Sequence, residues 1–352
     1  MEKGAVRYNR PVRKLLIAVI LLLAVYFVIG QFSEVQAVVE TLKRGDWRFL
    51  LLALGLQILW LINVAASYQS IYRALGIHEE LKEMFMLAAT ANFVNVVAPS
   101  VGMGGMAVFI TQARHREYSP ARAAIAGALY VFFDYSGFLA LLALGILVLI
   151  RRNNLTATEV AASLILLVIA SLLGFLLYLG MRSEQAFGKA LAFLAHLVNR
   201  VLRPFLHHDY LSEERARHFA HDAVAGMRQI RSNPENLLRP VLLALSNKIL
   251  MTLVLWMVFL AFKVPASIGT VVAGSAIAYL FFIVSPTPSG VGIVEGALTL
   301  GLRSMYVPLE AAAVIALAYR GFTFWLPLLI GMATFRRLGA TPPPALPAPT
   351  PE

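Results

Sequence analysis

The sequence contains no cysteine and few charged residues. Without a thiol the chain can form neither a disulfide nor a thiolate metal or iron–sulfur site, and cysteine catalysis is excluded. Charged side chains make up 14% of its 352 residues, whereas a soluble globular protein has about 25%. Apolar residues make up 59%, and the mean hydropathy is +0.74. A chain of this composition needs lipid around most of its surface, which excludes a cytosolic enzyme, a secreted disulfide scaffold and a disordered chain.

Acidic residues are scarce relative to basic ones, with 19 Asp and Glu against 30 Lys and Arg, for a formal net charge of +11. The basic residues are scattered between apolar runs rather than gathered in one patch, so nucleic acid is not an expected partner. Lys and Arg in short loops orient multi-pass proteins, with the positive loops in the cytoplasm. The pattern therefore indicates a multi-pass protein of a bacterial-type plasma (inner) membrane.

Six apolar stretches are long enough to cross a bilayer, since about 20 helical residues span about 30 Å of hydrocarbon. We predict spanning helices at residues 15–32, 49–72, 123–150, 160–181, 237–262 and 311–335. The first is not a signal peptide, because no small-residue cleavage site follows it and more spans come after.

Two further apolar stretches, 84–113 and 267–302, are broken by clusters of Pro and Gly. Each half is too short to cross alone, and Pro and Gly make a continuous helix unfavourable. Irregular backbone at membrane depth persists only against protein or a wet cavity. We therefore predict two re-entrant helical hairpins, and the fold class is an all-α, polytopic helical membrane protein.

Loop charges indicate how these segments are arranged. The basic N-terminus is predicted to be cytoplasmic, and the first hairpin then enters from that side and the second from the other. Arg151 and Arg152 are the one violation of the positive-inside rule. Hairpins of opposite entry side make an inverted repeat, a common transporter plan. The predicted units are 1–181 and 237–338 as transmembrane halves, 182–236 as a cytoplasmic segment, and 339–352 as a disordered Pro-rich tail.

The segment 182–236 contains two apolar stripes at helical spacing rather than a spanning run. They predict two amphipathic helices lying on the cytoplasmic membrane surface. The stripes consist of Phe187, Leu191, Leu194, Val198 and Val201, followed by Phe219, Ala223, Met227 and Ile230.

Four ionisable residues lie inside apolar stretches: Asp134, Lys248, Glu295 and Arg320. Each costs about 2.5 to 3.5 kcal/mol at a helix centre on insertion scales, and their formal charges sum to zero. We therefore expect them to pair with one another or to share a wet cavity. Two interpretations stay open, an ion-pair network that fixes helix packing and the lining of a transport pathway. Lys248 has a third, snorkelling toward the interface.

The predicted hairpin tips offer sites for an anion. Free N–H groups and the positive dipole end of the helix that follows each tip favour a lipid phosphate, and Gly290 and Gly292 let a headgroup approach the backbone. Glu295 either caps its own helix, attracts an amine or carries a coupling proton. Arg320 is the expected phosphate partner. Asn92, Asn95 and Asn247 must find hydrogen-bond partners, most simply on other helices.

The stretch from Ser285, SPTPSGVGIVEGALTLGL, followed by an Arg in the next span, resembles the lysylphosphatidylglycerol synthase/flippase transmembrane-domain family. The residues that carry the resemblance are Pro286, Pro288, Gly290, Gly292, Glu295 and Arg320. The first-half motif is eroded: Asn95 (or Asn92), Pro99, Gly102 and Asp134 match, but Gly104-Gly105 stands where the family has Gly-Glu. The resemblance implies lipid translocation. Synthase activity belongs to members with a C-terminal aminoacyltransferase domain, and this chain ends in a Pro-rich tail, so that activity is not carried over.

These observations predict a flippase-like transporter, not an enzyme, that moves a phospholipid or another lipid with a polar headgroup, including aminoacylated or zwitterionic ones. The alternatives are an ion-coupled carrier of a small solute and a membrane-embedded lipid-modifying transferase. A membrane lipid is the expected partner, a coupling proton or cation is left open, and the sequence does not predict the oligomeric state. No metal or other cofactor is expected, since the histidines near His207 and His221 match no zincin motif and no P-loop is present.

Overall fold

The computed structural model describes residues 36–97, 103–116, 118–153, 155–206, 213–285 and 287–339. Those ranges contain helices and turns and no strand, which confirms the all-α class. Residues 36–43 are helical. The helices that follow are α1 Trp47–Ala74, α2 Leu81–Val97, α3 Met103–His115, α4 Pro120–Arg151, α5 Ala157–Arg182, α6 Glu184–Leu206, α7 Glu213–Ser232, α8 Leu238–Ala261, α9 Ile268–Val284, α10 Ile293–Ser304, α11 Leu309–Arg320 and α12 Leu326–Gly339.

Five helical segments are long and apolar enough to cross a membrane. They are 47–74, 120–151, 157–182, 235–261 and 309–337, and they match five of the six predicted spans. A multi-pass helical membrane protein is therefore established. The remaining predicted span at 15–32, the tail after 339, Pro99, Pro286 and His207 lie outside the described residues.

Local sequence accounts for where several helices begin. The Asp46 side chain accepts a hydrogen bond from Arg48 N–H at 3.0 Å, and Ser267 Oγ accepts one from Thr270 N–H at 3.1 Å. The Glu159 carboxylate accepts the N–H of Thr156 at 2.9 Å. These contacts satisfy N–H groups that have no partner inside the helix, which matters most where water is scarce.

The last span contains a π-helical turn, Gly321–Trp325, between α11 and α12. Pro327 lies just after it, cannot donate a backbone hydrogen bond and clashes with the carbonyl four residues earlier, that of Thr323. The widened turn accommodates the proline without ending the span, and segments of this kind are frequent at functional sites. Arg320 stands directly before it.

Helices α2 and α3 occupy the first predicted hairpin, and α9 and α10 occupy the second. Arg116, just after α3, contacts Glu79 and Glu83 at the start of α2, so the outer ends of that pair meet. The outer ends of α9 and α10 also meet, around one cavity beside the end of α4. The outer ends of α2 and α3 therefore lie toward the start of α4, and the outer ends of α9 and α10 lie toward the end of α4. That each pair re-enters a bilayer stays a prediction.

Helix packing follows the pairing expected of a two-fold repeat. We match α1 with α8, α2 with α9, α3 with α10 and α4 with α11–α12. Under this matching, the helix pairs that contact each other in the first half correspond to helix pairs that contact each other in the second. For example, α2 packs on α12 as α9 packs on α4, and α3 packs on α4 as α10 packs on α11. The axis of such a repeat would pass between α1 and α8, which pack extensively on each other. This pattern is consistent with the predicted inverted repeat.

Helices α6 and α7 form an antiparallel pair beside α4 and α5. Phe187, Ala223, Met227 and Ile230, all members of the predicted apolar stripes, are buried in the core that the pair shares with α1–α5. The described members of the second stripe are therefore covered by protein, whereas Leu194 of the first stripe is 41% exposed. Contact of this exposed face with the membrane surface stays a prediction.

We expect Gly331→Ala to destabilise the fold by about 1 to 3 kcal/mol, the usual range for overpacking. A Cβ at Gly331 in α12 would lie 2.4 Å from the backbone oxygen of Ala89 in α2, so the two helices would have to separate. The control is Gly55→Ala in α1, where a Cβ would meet no atom within 4 Å. Thermal unfolding in detergent measures the difference, and equal midpoints for the two variants would contradict the close α2–α12 packing.

Candidate functional site

Arg320 connects the last span to the turn of the second hairpin. Its side chain is 3% exposed; Nε donates to Oε1 of Glu295 in the first turn of α10, and Nη2 donates to the Ser289 carbonyl oxygen at 3.1 Å. The guanidinium also lies over the Phe324 ring, 4.5 Å from its centroid. One side chain therefore fixes both the hairpin turn and the start of the next helix. The sequence-based expectation that Glu295 and Arg320 come together agrees with this geometry.

The hairpin turn needs left-handed backbone at three positions. Ser289, Gly290 and Gly292 have φ angles of 52°, 74° and 78°. Glycine adopts such angles at little cost, and a Cβ at Gly290 would also lie 2.4 Å from Val294. A Cβ at Gly292 would meet no atom within 4 Å, so the positive φ rather than lack of space explains the glycine at this position. Pro288 lies in the short 3-10 turn of this segment.

The Glu295 carboxylate does not cap its own helix. Gly292 is the N-cap residue of α10 and receives no side-chain cap bond, while Oε1 of Glu295 bonds to Arg320. Its Oε2 is buried without a hydrogen-bond partner among the described residues. The capping alternative is therefore wrong for this conformation, and one carboxylate oxygen remains free to accept a donor.

Asp134, Lys248 and Tyr279 form a second buried group, from α4, α8 and α9. Lys248 Nζ donates to Asp134 Oδ1 at 2.6 Å, and Tyr279 OH donates to Asp134 Oδ2. The same Nζ lies 3.7 Å from the centroid of the Tyr279 ring. The Lys248 and Asp134 side chains are 5% and 8% exposed, so snorkelling of Lys248 is wrong.

The two ion pairs are joined through the last turns of α9. The Tyr279 and Phe282 rings stack with centroids 5.7 Å apart, and the Phe282 backbone packs against Gly290. The turn is thus connected by packing to the ring that contacts both Asp134 and Lys248. The four charges form two pairs rather than one shared cluster.

An amide joins the inner ends of α2 and α3 in the first predicted hairpin. Asn95 Oδ1 accepts the N–H of Gly105 at 2.6 Å, which ties the end of α2 to the start of α3. A Cβ at Gly105 would lie 2.5 Å from Asn95 Nδ2, so a larger residue there would displace the Asn95 amide from this bond. Asn95 thus has the helix-to-helix bond that its apolar setting demanded; binding of substrate by Asn95 stays a prediction.

Several members of these networks carry no signal in the sequence. Tyr279 stands in an apolar run, where a phenol looks like core packing, and the Ser289 carbonyl is backbone. Asn63 Nδ2 donates to Asn247 Oδ1 at 2.6 Å, but nothing in the sequence indicates which of the polar residues of α1 pairs with α8. Only the tertiary arrangement identifies these partners.

An apolar groove leads from the outside of the bundle to Lys248. It lies between α4, α8 and α9 and has a volume of about 380 Å³. Leu144, Ile249 and Ile268, which line it, are 56%, 60% and 65% exposed, so the groove opens sideways onto the apolar surface of the bundle. Lys248 and Thr252 are the polar residues of its lining. An acyl chain fits such a groove chemically, and a hydrated solute does not.

The sequence matches the lysylphosphatidylglycerol synthase TM region family over residues 14–331. The chain belongs to this family. It is also 23% identical over 329 residues to a UPF0104 membrane protein of Methanocaldococcus jannaschii, covering 90% of this chain and 91% of that one. A UPF0104 membrane protein of Methanothermobacter thermautotrophicus is 23% identical over 338 residues, covering 93% and 95%. The resemblance noted at Ser285 to Arg320 is thereby confirmed as family membership across nearly the whole chain.

We expect Asp134→Asn to destabilise the protein by about 3 to 5 kcal/mol, because it leaves the Lys248 charge buried without its partner. Adding Lys248→Met should recover much of the loss, since the pair is then replaced by neutral groups. Chemical unfolding of the single and double variants measures this coupling. Additive losses would contradict the pairing.

The contact between His221 and Glu184 predicts that the stability of the α6–α7 pair depends on pH. His221 on α7 bonds to Glu184 of α6 at 2.7 Å, and this hydrogen bond raises the pKa of His221 above its ordinary value of about 6.5 and lowers that of Glu184. The His221 contribution is complete below the ordinary histidine pKa and is lost as the pH rises through the raised one, whereas the Glu184 contribution is lost in acid. Arg228 also contacts Glu184, at 3.2 Å, and keeps its charge throughout.

Hydrogen exchange in α6 and α7 should therefore be slower, after correction for the intrinsic pH effect, near pH 6 than near pH 8, roughly the window set by an ordinary histidine. His221→Gln should remove the difference. A pH-independent protection in the unaltered chain would contradict the contact.

Proposed function

We propose that this protein is a flippase-like transporter that moves a phospholipid, or another lipid with a polar headgroup, between the leaflets of its membrane. The observation that carries the proposal is the apolar groove open to the side of the bundle, whose lining includes Lys248, the ion-pair partner of Asp134. A lipid has an apolar tail and a charged head. The apolar lining of the groove suits the acyl tail, and Lys248 in that lining supplies a charge for the head.

The proposed substrate would exchange with the internal ion pairs. A headgroup that carries both signs, zwitterionic or aminoacylated, brings a phosphate for Arg320 or Lys248 and an amine for Glu295 or Asp134. Each buried charge would then exchange its protein partner for a headgroup charge. No charge would be left unpaired during the exchange, a state that would cost about 3 to 5 kcal/mol. The unpartnered Oε2 of Glu295 supports this, since it can accept an amine before the Arg320 bond breaks.

The second hairpin turn would couple this exchange to movement. Arg320 donates hydrogen bonds to the Ser289 carbonyl and to Glu295, so breaking these bonds would release the turn. The turn packs on Phe282 and, through that ring, on Tyr279 of the other pair. Headgroup binding at one pair would therefore change the surroundings of the other. A coupling proton or cation at Glu295 belongs to the same proposal.

An ion-coupled carrier of a small solute is the second candidate, because it would use the same repeat and the same charges. It calls for an enclosed polar pocket, whereas the groove at Lys248 is apolar and open to the side. A lipid-modifying transferase is the third candidate, and it has no specific observation in its favour. We infer that the chain transports its substrate without transforming it.

Neutralising both members of one pair separates transport from packing. We expect Glu295→Gln with Arg320→Gln to fold, since no unpaired charge remains, but to move fluorescent phospholipid across liposomes at least tenfold more slowly, the size of effect expected when a charge-assisted contact of about 1.5 kcal/mol or more is lost. Glu310→Gln, in the first turn of α11, is the matched control and should transport normally.

The result that would refute the assignment is a double variant that is folded and transports at the unaltered rate. That outcome would make the pair a packing device. A diacylglycerol analogue without a charged head serves as a second substrate, and its movement should be insensitive to the double substitution.

A further inference from the structure

A second cavity lies at the other end of the second hairpin from its turn. It is bounded by the end of α4, the start of α9 and the loop between α10 and α11, and its volume is about 540 Å³. Arg151, Arg152, Ser267, Thr270 and Tyr306 provide its polar lining. No acidic residue is among the described residues that line it.

The charge of Arg152 is held in place but is not neutralised. Its Nη1 donates to Thr270 Oγ1 at 3.0 Å, and its Nη2 donates to Ser267 Oγ at 2.8 Å. Both acceptors are neutral hydroxyls, and in the described part of the chain neither Arg151 nor Arg152 forms an ion pair. The hydroxyls take two of the five N–H donors of the guanidinium and orient it, which leaves donors for an anion.

Neighbouring features reinforce the positive potential. Ser267 caps α9, a helix of 17 residues whose positive dipole end faces the same region. Tyr306 is 85% exposed and has a φ of 70°, a backbone conformation that is unfavourable for a bulky side chain. An aromatic ring with a polar tip at the end of a bundle is typical of the lipid headgroup level.

We propose that this cavity is a binding site for a phosphate group, with Arg152 as the bidentate ligand and Arg151 as the second charge. The phosphate is that of a lipid headgroup at this surface or free inorganic phosphate. A ligand also explains the Arg151-Arg152 pair, which breaks the positive-inside pattern of the other loops. Binding at this site does not depend on transport, and only its use as a loading or release point rests on the proposed function.

The test uses the full chain in detergent micelles. Native mass spectrometry measures binding of phosphatidylglycerol and, as the tail control, of diacylglycerol, while thermal shift measures binding of inorganic phosphate. The variants are Arg152→Gln, Arg152→Lys and, should Arg152→Gln unfold, Arg151→Gln. Arg48→Gln is the matched control, because Arg48 is an exposed arginine at the start of α1, and residue 46 just before it bonds to the end of α8 at this end of the bundle.

We expect Arg152→Gln to weaken phosphate-dependent binding about tenfold, Arg151→Gln to weaken it less, Arg152→Lys to retain part of it, and Arg48→Gln to leave it within twofold, as charge-assisted contacts to one anion predict. A loss in the phosphatidylglycerol arm assigns the site to lipid, and a loss in the inorganic phosphate arm alone assigns it to the free ion. Unchanged binding in both arms, or equal losses for Arg48→Gln and Arg152→Gln, would overturn the proposal. Because neither arm measures transport, failure here is distinct from failure of the flippase assignment.

Discussion

The pairing of charges inside an apolar bundle is the constraint on which the rest of this structure depends. An unpaired charge there is costly, so Asp134, Lys248, Glu295 and Arg320 determine which helices must meet. One pair fastens α4 to α8 and α9. The other fastens α11 to the turn before α10. Removing one member of either pair would leave the other charge buried and unpaired, at a cost of about 3 to 5 kcal/mol.

Side chains bind backbone groups in both interrupted segments. Asn95 Oδ1 accepts the N–H of Gly105 in the first turn of α3, and Arg320 donates to the Ser289 carbonyl in the turn before α10. A neutral amide joins the inner ends of α2 and α3, whereas a charged guanidinium binds the turn before α10. The two halves therefore share a packing plan but differ in the chemistry that holds their interrupted segments.

Much of the fold was predictable because lipid imposes simple rules on sequence. Span length, Pro and Gly breaks and the scarcity of charges located five spans and both interrupted segments. The pairing of the charges was harder to predict. The four intramembrane charges sum to zero, so Lys248 needed a partner, but the sequence did not identify Asp134 and Tyr279 as the residues that contact it. The stripes in α6 and α7 did not reveal that Phe187 and Met227 are buried against other helices, because an apolar stripe does not show what covers it.

A cryo-electron microscopy structure in lipid nanodiscs tests the central claim most directly, because lipid and side-chain densities are seen together. We predict that the Glu295–Arg320 and Asp134–Lys248 pairs lie within the hydrocarbon layer, which is about 30 Å thick, with the turn at Ser289 to Gly292 near its middle and acyl density in the groove beside Lys248. Pairs at the headgroup planes, or a groove sealed from lipid, would contradict it.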